Sequence, residues 1–494
     1  MKSYRPWSPE QSFLLPPSPL EWLPEGHLAY FILETVRTLE LGAIESAIQK
    51  KDARGERPYA PSMMVALLLY AYCVGVFSSR RIARATYEDV AFRVLSGGCQ
   101  PHFTTINQFR LDHRQALADL FVQVLQLCKK AGLVKLGHVA IDGTKVEANA
   151  SKHKAMSYKR MQEEAQRLQG EIDALLAKAD AADSKDDEQY GAGRAPEDLP
   201  KELQRRETRL QKILEAKAAL EAEAAQARAD ELRDLAAGQR EKAADEAVDP
   251  AERKRAATRA AQSDEKANAL DPEKPKDGDD DPPSAGSELP RHRMPATEEG
   301  KPTPKAQRNF TDPDSRIMQK NGRTVVQAYN AQIAADSESQ VIVAAAVTNQ
   351  PPDSEHLAPM LDLVQGHFGT SPGLVTADAG YFSAGNVAAC ETRKVPALIA
   401  VSRESTKDKK PTRDTPASKA RQAMATKLGT VQGRATYARR KAIVEPPFGQ
   451  IKQARGFRRF SFRGQASVSA EWSLVCLTHN LLKLFRAPRK ARKA

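Results

Sequence analysis

A single carboxylate lies inside a dense field of basic residues near the C-terminal end of the chain. The stretch 437–463, YARRKAIVEPPFGQIKQARGFRRFSFR, contains one acid, Glu445, flanked by apolar residues typical of a segment that packs against a core. If a helix begins at Pro446, since proline is tolerated in a first helical turn, Glu445 lies at its N-terminal edge and Lys452 two turns further along nearly the same face. Phosphoryl transfer uses such a pair, in which the carboxylate binds a divalent metal ion and the lysine binds a phosphate. The alternative is that Glu445 forms only a structural ion pair at the start of a helix.

Two aspartates elsewhere in the chain each follow a short apolar run. Asp142 ends the run HVAI and precedes Gly143, and Asp378 ends the run GLVTA two residues before Gly380. Both runs predict strands, and the carboxyl ends of strands in an open α/β sheet are where sites form. With the helical Glu445, these aspartates would supply the hard oxygen ligands that Mg²⁺ prefers. An aspartate before glycine is also an ordinary turn former.

Five short motifs of the sequence together resemble the blocks of bacterial insertion-sequence transposases of the DDE type. They are HVAIDGTKVEANASK, NFTDPDSRIM, QAYNAQIAAD, VTADAGYFS and RRKAIVEPPFGQIKQARGFRRFSFRG. Their order is similar to that of the IS1182 group within the IS4/IS5-like assemblage, and the likeness covers residues 1–154 and 309–487. The resemblance implies that Asp142, Asp378 and Glu445 are the catalytic, metal-binding DDE triad of an RNase H-like core. It also implies two Mg²⁺ ions as cofactors, for which Mn²⁺ can substitute.

A second signature of these enzymes, Y-R-E-K, is matched in part. Lys452 follows Glu445 by seven residues, as in the signature, and Tyr437 corresponds to its tyrosine. The usual interval from the tyrosine selects Arg440 as the arginine, yet it leaves four residues before the glutamate where the strict form has three. Lys441 has that second interval instead, so both bases remain candidates.

The remaining bases of this stretch are expected to bind DNA. Arginine suits the geometry of phosphate groups, so we expect these bases to hold the flanking DNA strand. The expected contacts are Lys452, Arg455, Arg458, Arg459 and Arg463, together with Tyr437 and Arg440.

The global composition agrees with a polyanion partner. From residue 404 onward the chain has 22 Lys and Arg against 5 Asp and Glu, whereas the preceding part is slightly acidic. Such a concentrated positive field favours DNA binding that depends strongly on salt. The five cysteines have neither metal-ligand nor disulfide spacing, and no signal peptide or membrane-spanning run is evident. We therefore expect a cytoplasmic bacterial protein that joins the nucleoid when it is bound to DNA.

Residues 1–135 are expected to form an all-α DNA-binding domain. Short amphipathic helices separated by turns carry several arginines, which could form a helix-turn-helix-like unit on DNA. The candidate DNA contacts are Arg80, Arg81 and Arg110. The same arginines could equally be surface salt-bridge partners of Glu88, Asp89 and Asp112.

Residues 155–308 have the composition of an insertion. Apolar residues repeat with heptad spacing over 161–179 and 203–227, which predicts two helices in an antiparallel hairpin or a coiled coil with another subunit. The Pro- and Asp-rich part, 270–305, is expected to be a disordered linker. Because the insertion is net acidic, a spacer or oligomerisation role is favoured over DNA binding. Residues 488–494 form a basic tail.

The sequence thus predicts an α/β protein with a split catalytic domain, 136–154 and 309–487. Predicted strands over 324–334 and 340–347, a helix over 355–367, and further strands ending at Asp378 and Val401 give the element order of an RNase H-like fold. The word NFTDPD before them reads either as a functional segment or as a proline turn.

The expected function is a DNA transposase that binds the terminal inverted repeats of its insertion sequence and catalyses metal-dependent cleavage and strand transfer. Its partner is double-stranded DNA, both element ends and target, in a complex with a homo-oligomer of the protein. Two alternatives stay open, an RNase H-like nuclease without strand transfer and an inactive DNA-binding regulator derived from a transposase.

Overall fold

The computed structural model describes residues 18, 21–50, 57–190, 199–246, 248–271, 289–320, 324–401 and 416–488. Within this part, the N-terminal region is helical. Its helices are α1 (Leu28–Thr38), α2 (Gly42–Gln49), α3 (Pro61–Cys73), α4 (Ser79–Glu88), α5 (Val90–Ser96), α6 (Phe103–Asp112) and α7 (Arg114–Lys130). Helix α3 is apolar on all sides, and every residue of 64–73 is buried. A helix of this character lies in the centre of a bundle, which the shorter amphipathic helices surround.

The chain then enters its first strand and a long excursion. The elements are β1 (Val139–Glu147), β2 (Ala155–Ser157), α8 (Tyr158–Tyr190), α9 (Leu199–Ala244), α10 (Pro250–Leu270) and β3 (Gln307–Asn309). Strands β2 and β3 pair antiparallel and close the excursion at its base. The insertion therefore leaves and re-enters the core at one place.

The helical hairpin expected for the insertion is present, with one more helix. Met161 and Leu168 of α8 pack with Leu210 and Leu220 of α9, as the heptad spacing predicts. Helix α10, which was not expected, packs along α9 through its alanines. The expectation of a disordered linker is wrong for residues 289–305, which pack against the core and the insertion through buried apolar residues. The rest of that linker, 272–288, lies outside the described residues, as do 489–494 of the basic tail.

A mixed sheet forms the second half of the molecule. Its remaining elements are β4 (Arg316–Gln319), β5 (Val325–Asp336), β6 (Ile342–Thr348), α11 (Leu357–Phe368), β7 (Val375–Ala377), α12 (Ala384–Thr392), β8 (Ala397–Ile399), α13 (Pro416–Gly429), α14 (Val431–Gly449) and α15 (Gln465–Arg486). The strand order is β4-β5-β1-β7-β8, with β6 also paired to β5. Strand β1 runs antiparallel to β5 and parallel to β7, and β7 runs parallel to β8. The carboxyl ends of β1, β7 and β8 therefore meet at one edge.

Helix α15 joins the two halves into one core. It packs on α3 and α7 of the N-terminal region and on β6 of the sheet. Trp472 donates its indole N–H to the Gln332 carbonyl at 3.1 Å, and the Asn480 amide pairs with both backbone groups of Ile342 at 2.8 Å. All five cysteines are free thiols, in agreement with their spacing. In the described part of the chain, no helix has both the length and the apolar character needed to cross a membrane.

Candidate functional site

Asp142 and Asp378 lie where the parallel pairing of β1 with β7 ends. Ile141 is opposite Ala377, so Asp142 is the next residue of β1, which continues to Glu147, and Asp378 is the first residue after β7. Asp378 turns into a short 3-10 segment and accepts a hydrogen bond from the Gly380 N–H at 2.8 Å. The two apolar runs therefore bring these carboxylates together, but the expectation of two strand ends is wrong for Asp142, because β1 continues for five residues beyond it through its pairing with β5.

The charge of Asp142 is poorly solvated in this position. The pKa of Asp142 is raised to about 6. Burial is the main cause, the Arg440 guanidinium opposes it, and the neighbouring Asp378 carboxylate adds to it. Two carboxylates held side by side repel each other, and a cation between them relieves the repulsion. The pair is therefore destabilised as two bare anions and favours a positively charged partner.

Arg440 is the partner that the protein itself supplies. It extends from α14, is buried, and donates from Nη1 to Asp142 Oδ2 at 3.0 Å. Its guanidinium also lies 5.9 Å from the centre of the Tyr437 ring. Lys441, the other candidate for the arginine of the signature, is exposed to solvent. The geometry thus favours Arg440 for that position.

Glu445 lies on the exposed side of the same helix. The expectation that a helix begins at Pro446 is wrong, because α14 begins at Val431 and continues through both prolines to Gly449. Each proline lacks an N–H and removes one hydrogen bond of the helix, but the packing of buried Ile443, Val444 and Pro447 keeps the helix continuous. Glu445 is therefore within a helix and faces solvent, one turn beyond Arg440.

Lys452 reaches the strand that carries Asp142. Helix α14 is followed by a π-helical turn, Gln450–Ala454, of the kind often found at functional sites. The Lys452 ammonium donates to the Thr144 hydroxyl and, at 3.1 Å, to the Lys145 carbonyl. Burial, together with nearby Lys320 and Arg458, lowers its pKa to about 8. This ammonium is poorly paired, and an incoming phosphate would be a suitable partner.

A further acid, Asp353, lies beside the pair and was missed by the sequence reasoning. Its Oδ1 accepts hydrogen bonds from the side chains of Asn330 at 2.7 Å and Gln332 at 2.8 Å, and Lys145 lies 3.5 Å away. A Cβ added at Gly380 would lie 3.1 Å from Asp378 Oδ1 and 3.4 Å from Asp353 Oδ2, so the two carboxylates flank that glycine. The available signal was its place after Pro351-Pro352, just beyond the end of strand β6.

The donor atoms at this edge fit a hard divalent cation. Asp142 and Asp378 offer carboxylate oxygens, the ligands that Mg²⁺ and Mn²⁺ prefer, and their mutual repulsion is the kind that a divalent ion relieves. Among the described residues, no group of three or more His, Cys, Asp or Glu is close enough to hold a metal ion. The arrangement therefore provides a pair of ligands, and not an assembled trio.

Two family models match separate parts of the chain. Residues 292–481 match the transposase DDE domain, and residues 18–112 match a transposase domain, DUF772. The chain belongs to the DDE-type insertion-sequence transposases. The two domains in this order are typical of the IS1182 group, as the sequence words indicated. Searches of curated proteins and of solved structures gave no match.

The match to the transposase DDE domain covers only part of the candidate site of this transposase. Its boundaries include Asp378 and Glu445 but leave out Asp142, which lies on the other side of the insertion. Asp142 nevertheless lies in the same sheet as Asp378, because β1 pairs with both β5 and β7. Folding, and not sequence proximity, therefore joins the two parts of the transposase core.

Most of the expected DNA-binding arginines are exposed. Arg80 and Arg81 lie on the exposed surface of α4, and Arg80 covers the Phe103 ring at 4.6 Å. Arg458, Arg459 and Arg463 are exposed in the segment that connects α14 to α15. Arg459 pairs with Glu147 at 2.9 Å and Arg463 donates to the Asn149 carbonyl at 3.0 Å, so the segment lies along the continuation of β1.

Two of the expected DNA contacts are internal and must be corrected. Arg110 is buried and donates to the Tyr72 hydroxyl at 2.7 Å and to Glu471 at 3.2 Å. Arg455 is buried and donates to the Thr478 hydroxyl at 2.7 Å and to backbone carbonyls. Both guanidiniums have their partners within the protein, so neither can reach a DNA phosphate. We leave them out of the interface.

The segment 309–314, NFTDPD, has a structural role in this fold. Asp312 is fully buried and accepts from the Tyr329 hydroxyl at 2.8 Å and the Gly464 N–H at 3.1 Å. Asp314 accepts from the Gln465 N–H at 2.8 Å, at the start of α15. The segment therefore fixes helix α15 to the sheet, which favours the turn reading over a direct role in catalysis.

Proposed function

We propose that this transposase binds the terminal inverted repeats of its insertion sequence and catalyses metal-dependent DNA cleavage and strand transfer. The observation that carries the proposal is the pair formed by Asp142, within β1, and Asp378, at the end of the neighbouring β7, with Arg440 hydrogen-bonded to Asp142 and Lys452 hydrogen-bonded to Thr144 of the same strand. The strand arrangement supports an RNase H-like core, since two antiparallel pairings precede two parallel ones in the order β6-β5-β1-β7-β8. A DDE domain also implies such a core.

The residues of the site have separate roles in this proposal. Asp142 and Asp378 would hold Mg²⁺, with Glu445 as the third ligand of the DDE triad and two ions in all. When bound, Mg²⁺ lowers the pKa of the attacking water or 3′-hydroxyl and stabilises the leaving oxygen. Arg440 orients Asp142 and neutralises it until the site is loaded. Lys452 is available to bind the phosphate next to the scissile bond.

The exposed arginines provide the surrounding DNA contacts. Arg458, Arg459 and Arg463 lie along the strand that leads away from the catalytic pair, where they would bind the flanking strand. Arg80 and Arg81 on α4 are suited to contacts of the N-terminal domain with the terminal repeat. Because an element has two ends, we propose that a homo-oligomer of the protein assembles on double-stranded DNA.

The test is cleavage and joining of a duplex that carries the inverted repeats flanking the gene, in the presence of Mg²⁺ or Mn²⁺. The parent is compared with Asp378→Ala, Glu445→Ala and Asp353→Ala, with Glu241→Ala on the exposed face of α9 as the matched control. We expect the parent and the control to cut and join, and Asp378→Ala and Glu445→Ala to bind DNA without cutting. Loss of at least about a hundredfold in rate is expected for a metal ligand.

Each other outcome has a defined meaning. Cutting without joining would favour the nuclease alternative, and binding without cutting by the parent would favour the inactive regulator. If Glu445→Ala cuts normally while Asp353→Ala is inactive, the third ligand is Asp353, and the assignment of Glu445 is wrong. Titration calorimetry with Mn²⁺ on the same variants distinguishes a loss of metal binding from a loss of DNA binding.

A further inference from the structure

The insertion carries a basic groove on the face that meets the catalytic sheet. A cavity of about 1000 Å³ lies between α9, the start of α8 and the segment that includes β3. One acid, Glu215, is among its lining residues. The Lys and Arg that line it are Lys154, Arg160, Arg205, Arg209, Lys212 and Arg308. This excess of positive charge contrasts with the net acidic composition of the insertion as a whole.

The groove is anchored to the sheet. Glu223 of α9 pairs with Arg308 of β3 and, at 3.1 Å, with Arg316 of β4. At the start of α8, the Tyr158 N–H donates to the Ala306 carbonyl at 2.8 Å. These contacts hold the groove next to the catalytic region.

Several cations of the groove are available to a ligand. Arg209 pairs with Glu164, but the side chains of Lys154, Arg205 and Lys212 are exposed and have no ion pair or hydrogen bond within the described part of the chain. Arg205, Arg209 and Lys212 have the spacing of one helical face. From Arg205 to Lys212 the helix rises about 10 Å, which is about three phosphate steps along one strand of a DNA duplex.

The groove continues to the catalytic site. A second cavity of about 610 Å³ shares Lys154 with the first and is lined by Lys152, Arg459 and Arg463. Glu147, also in its lining, pairs with Lys320 at 2.7 Å, and Lys320 borders a third cavity of about 300 Å³ that includes Lys452. Five residues of strand separate Asp142 from Glu147, or about 17 Å. A basic path thus runs from the catalytic pair along β1 and onto the insertion.

We propose that this insertion groove binds the phosphate backbone of the DNA duplex whose cleaved end lies at Asp142 and Asp378. The inference rests on the proposed function and extends it, since it gives the insertion a role in holding DNA. Cations spaced along a helix bind phosphates irrespective of sequence, so the groove positions the duplex and does not read its bases. Phe310, which is 36% exposed in the same lining, offers an apolar contact to a deoxyribose.

The test compares two triple variants of the full chain with equal loss of charge. Lys154→Ala/Arg205→Ala/Lys212→Ala removes unpaired cations of the groove. Lys254→Ala/Arg255→Ala/Arg259→Ala removes exposed cations of α10, away from the groove. Fluorescence anisotropy measures the Kd of each for a duplex that ends in the inverted repeat, at about 50 to 200 mM salt, without divalent metal. We expect the groove variant to bind at least about tenfold more weakly, with a salt slope smaller by about two to three.

The α10 variant should bind within about twofold of the parent. A groove variant with the Kd and the salt slope of the parent would overturn the proposal. So would an unchanged Kd together with a shift in oligomeric state on size-exclusion chromatography, because the groove would then bind protein. Circular dichroism melting of both variants verifies that they are folded to the same extent.

A second readout separates this inference from the proposed activity. A photoreactive amino acid at Thr208, in the groove lining, should crosslink to the duplex, whereas the same probe at Thr258 of α10 should not. If the parent fails to cut DNA while the groove variant loses affinity and Thr208 crosslinks, the proposed function fails and the groove stands. If the parent cuts and joins but Thr208 gives no crosslink and the groove variant binds normally, the groove fails alone.

Discussion

The contact between Arg440 and Asp142 determines the charge state of the site. The arginine is buried, its Nε has no hydrogen-bond partner among the described residues, and its Nη1 is 3.0 Å from the carboxylate. A guanidinium stays charged in proteins, so Arg440 can balance the negative charge of Asp142 without protonation of the carboxylate. The compensation is incomplete, because burial and Asp378 still leave the pKa of Asp142 at about 6.

This raised pKa predicts a pH-dependent stability of the metal-free protein. A carboxyl group whose pKa is higher in the folded state contributes full stability below its unfolded pKa of about 3.8, and this stability is lost as the pH rises through about 6. Relative to Asp142→Asn, the parent should lose up to about 3 kcal/mol in free energy of unfolding between pH 4 and pH 7. Chemical denaturation over this range in a metal chelator measures the difference.

The comparison with Asp142→Asn isolates this carboxyl from two others. Burial also raises the pKa values of Asp312 and Asp336, and these groups titrate identically in parent and variant. Asp119→Asn, at an exposed position of α7, serves as the control and should follow the parent at every pH. Parallel curves for the parent and Asp142→Asn would mean that Asp142 is solvated.

At the scale of elements, local sequence predicts what is apolar and regular, and packing decides the rest. The runs before Asp142 and Asp378 are strands as expected, and the heptads of the insertion form helices. The helix start at Pro446 was mispredicted because a local rule for proline is outweighed by tertiary packing of the helix face that carries Ile443 and Val444. Asp353 has no local signal beyond a strand end, since only the fold brings it to Gly380.

Strand β1 packs so closely against β5 at Gly143 that a side chain there would overlap Gln332. A Cβ at Gly143 would collide with the Gln332 amide and lie 3.0 Å from Asn330 Oδ1. Gln332 cannot yield easily, because it is fully buried and hydrogen-bonded to Asp353 and Asn330. Gly143→Ala should therefore lower stability by about 1–3 kcal/mol and displace the groups beside Asp142 and Asp378.

Thermal melting and the rate of DNA cleavage test this prediction together. The matched control is Gly137→Ala, where an added Cβ has no heavy atom within 4 Å, and both quantities should stay at the parent values. Cleavage by Gly143→Ala should fall by at least about tenfold, which corresponds to about 1.4 kcal/mol in the barrier. A Gly143→Ala protein that melts and cuts like the parent would show that the Gln332 side chain leaves room for a methyl group at position 143.

At the scale of the whole molecule, a buried ion pair connects the N-terminal helices to the catalytic half. Arg110 of α6 and Glu471 of α15 are 2% and 0% exposed in their side chains and lie 3.2 Å apart. Arg110 also donates to the Phe77 carbonyl at 3.1 Å, and the second oxygen of Glu471 accepts from the Ser461 N–H at 2.8 Å. The pair thus joins the N-terminal helices to the segment that carries the exposed arginines before α15.

Removing one partner of this ion pair should destabilise the protein more than replacing both partners. Glu471→Ala leaves a buried, uncompensated guanidinium and should cost about 3–5 kcal/mol in free energy of unfolding, whereas Arg110→Met/Glu471→Met should recover most of that loss. The control is Glu88→Ala, which breaks an exposed pair with Arg84 and should cost less than about 1 kcal/mol. Denaturant unfolding measures all three. Since Glu471 also holds the backbone at Ser461, Glu471→Ala should weaken DNA binding, and an unchanged Kd with lowered stability would confine the pair to a structural role.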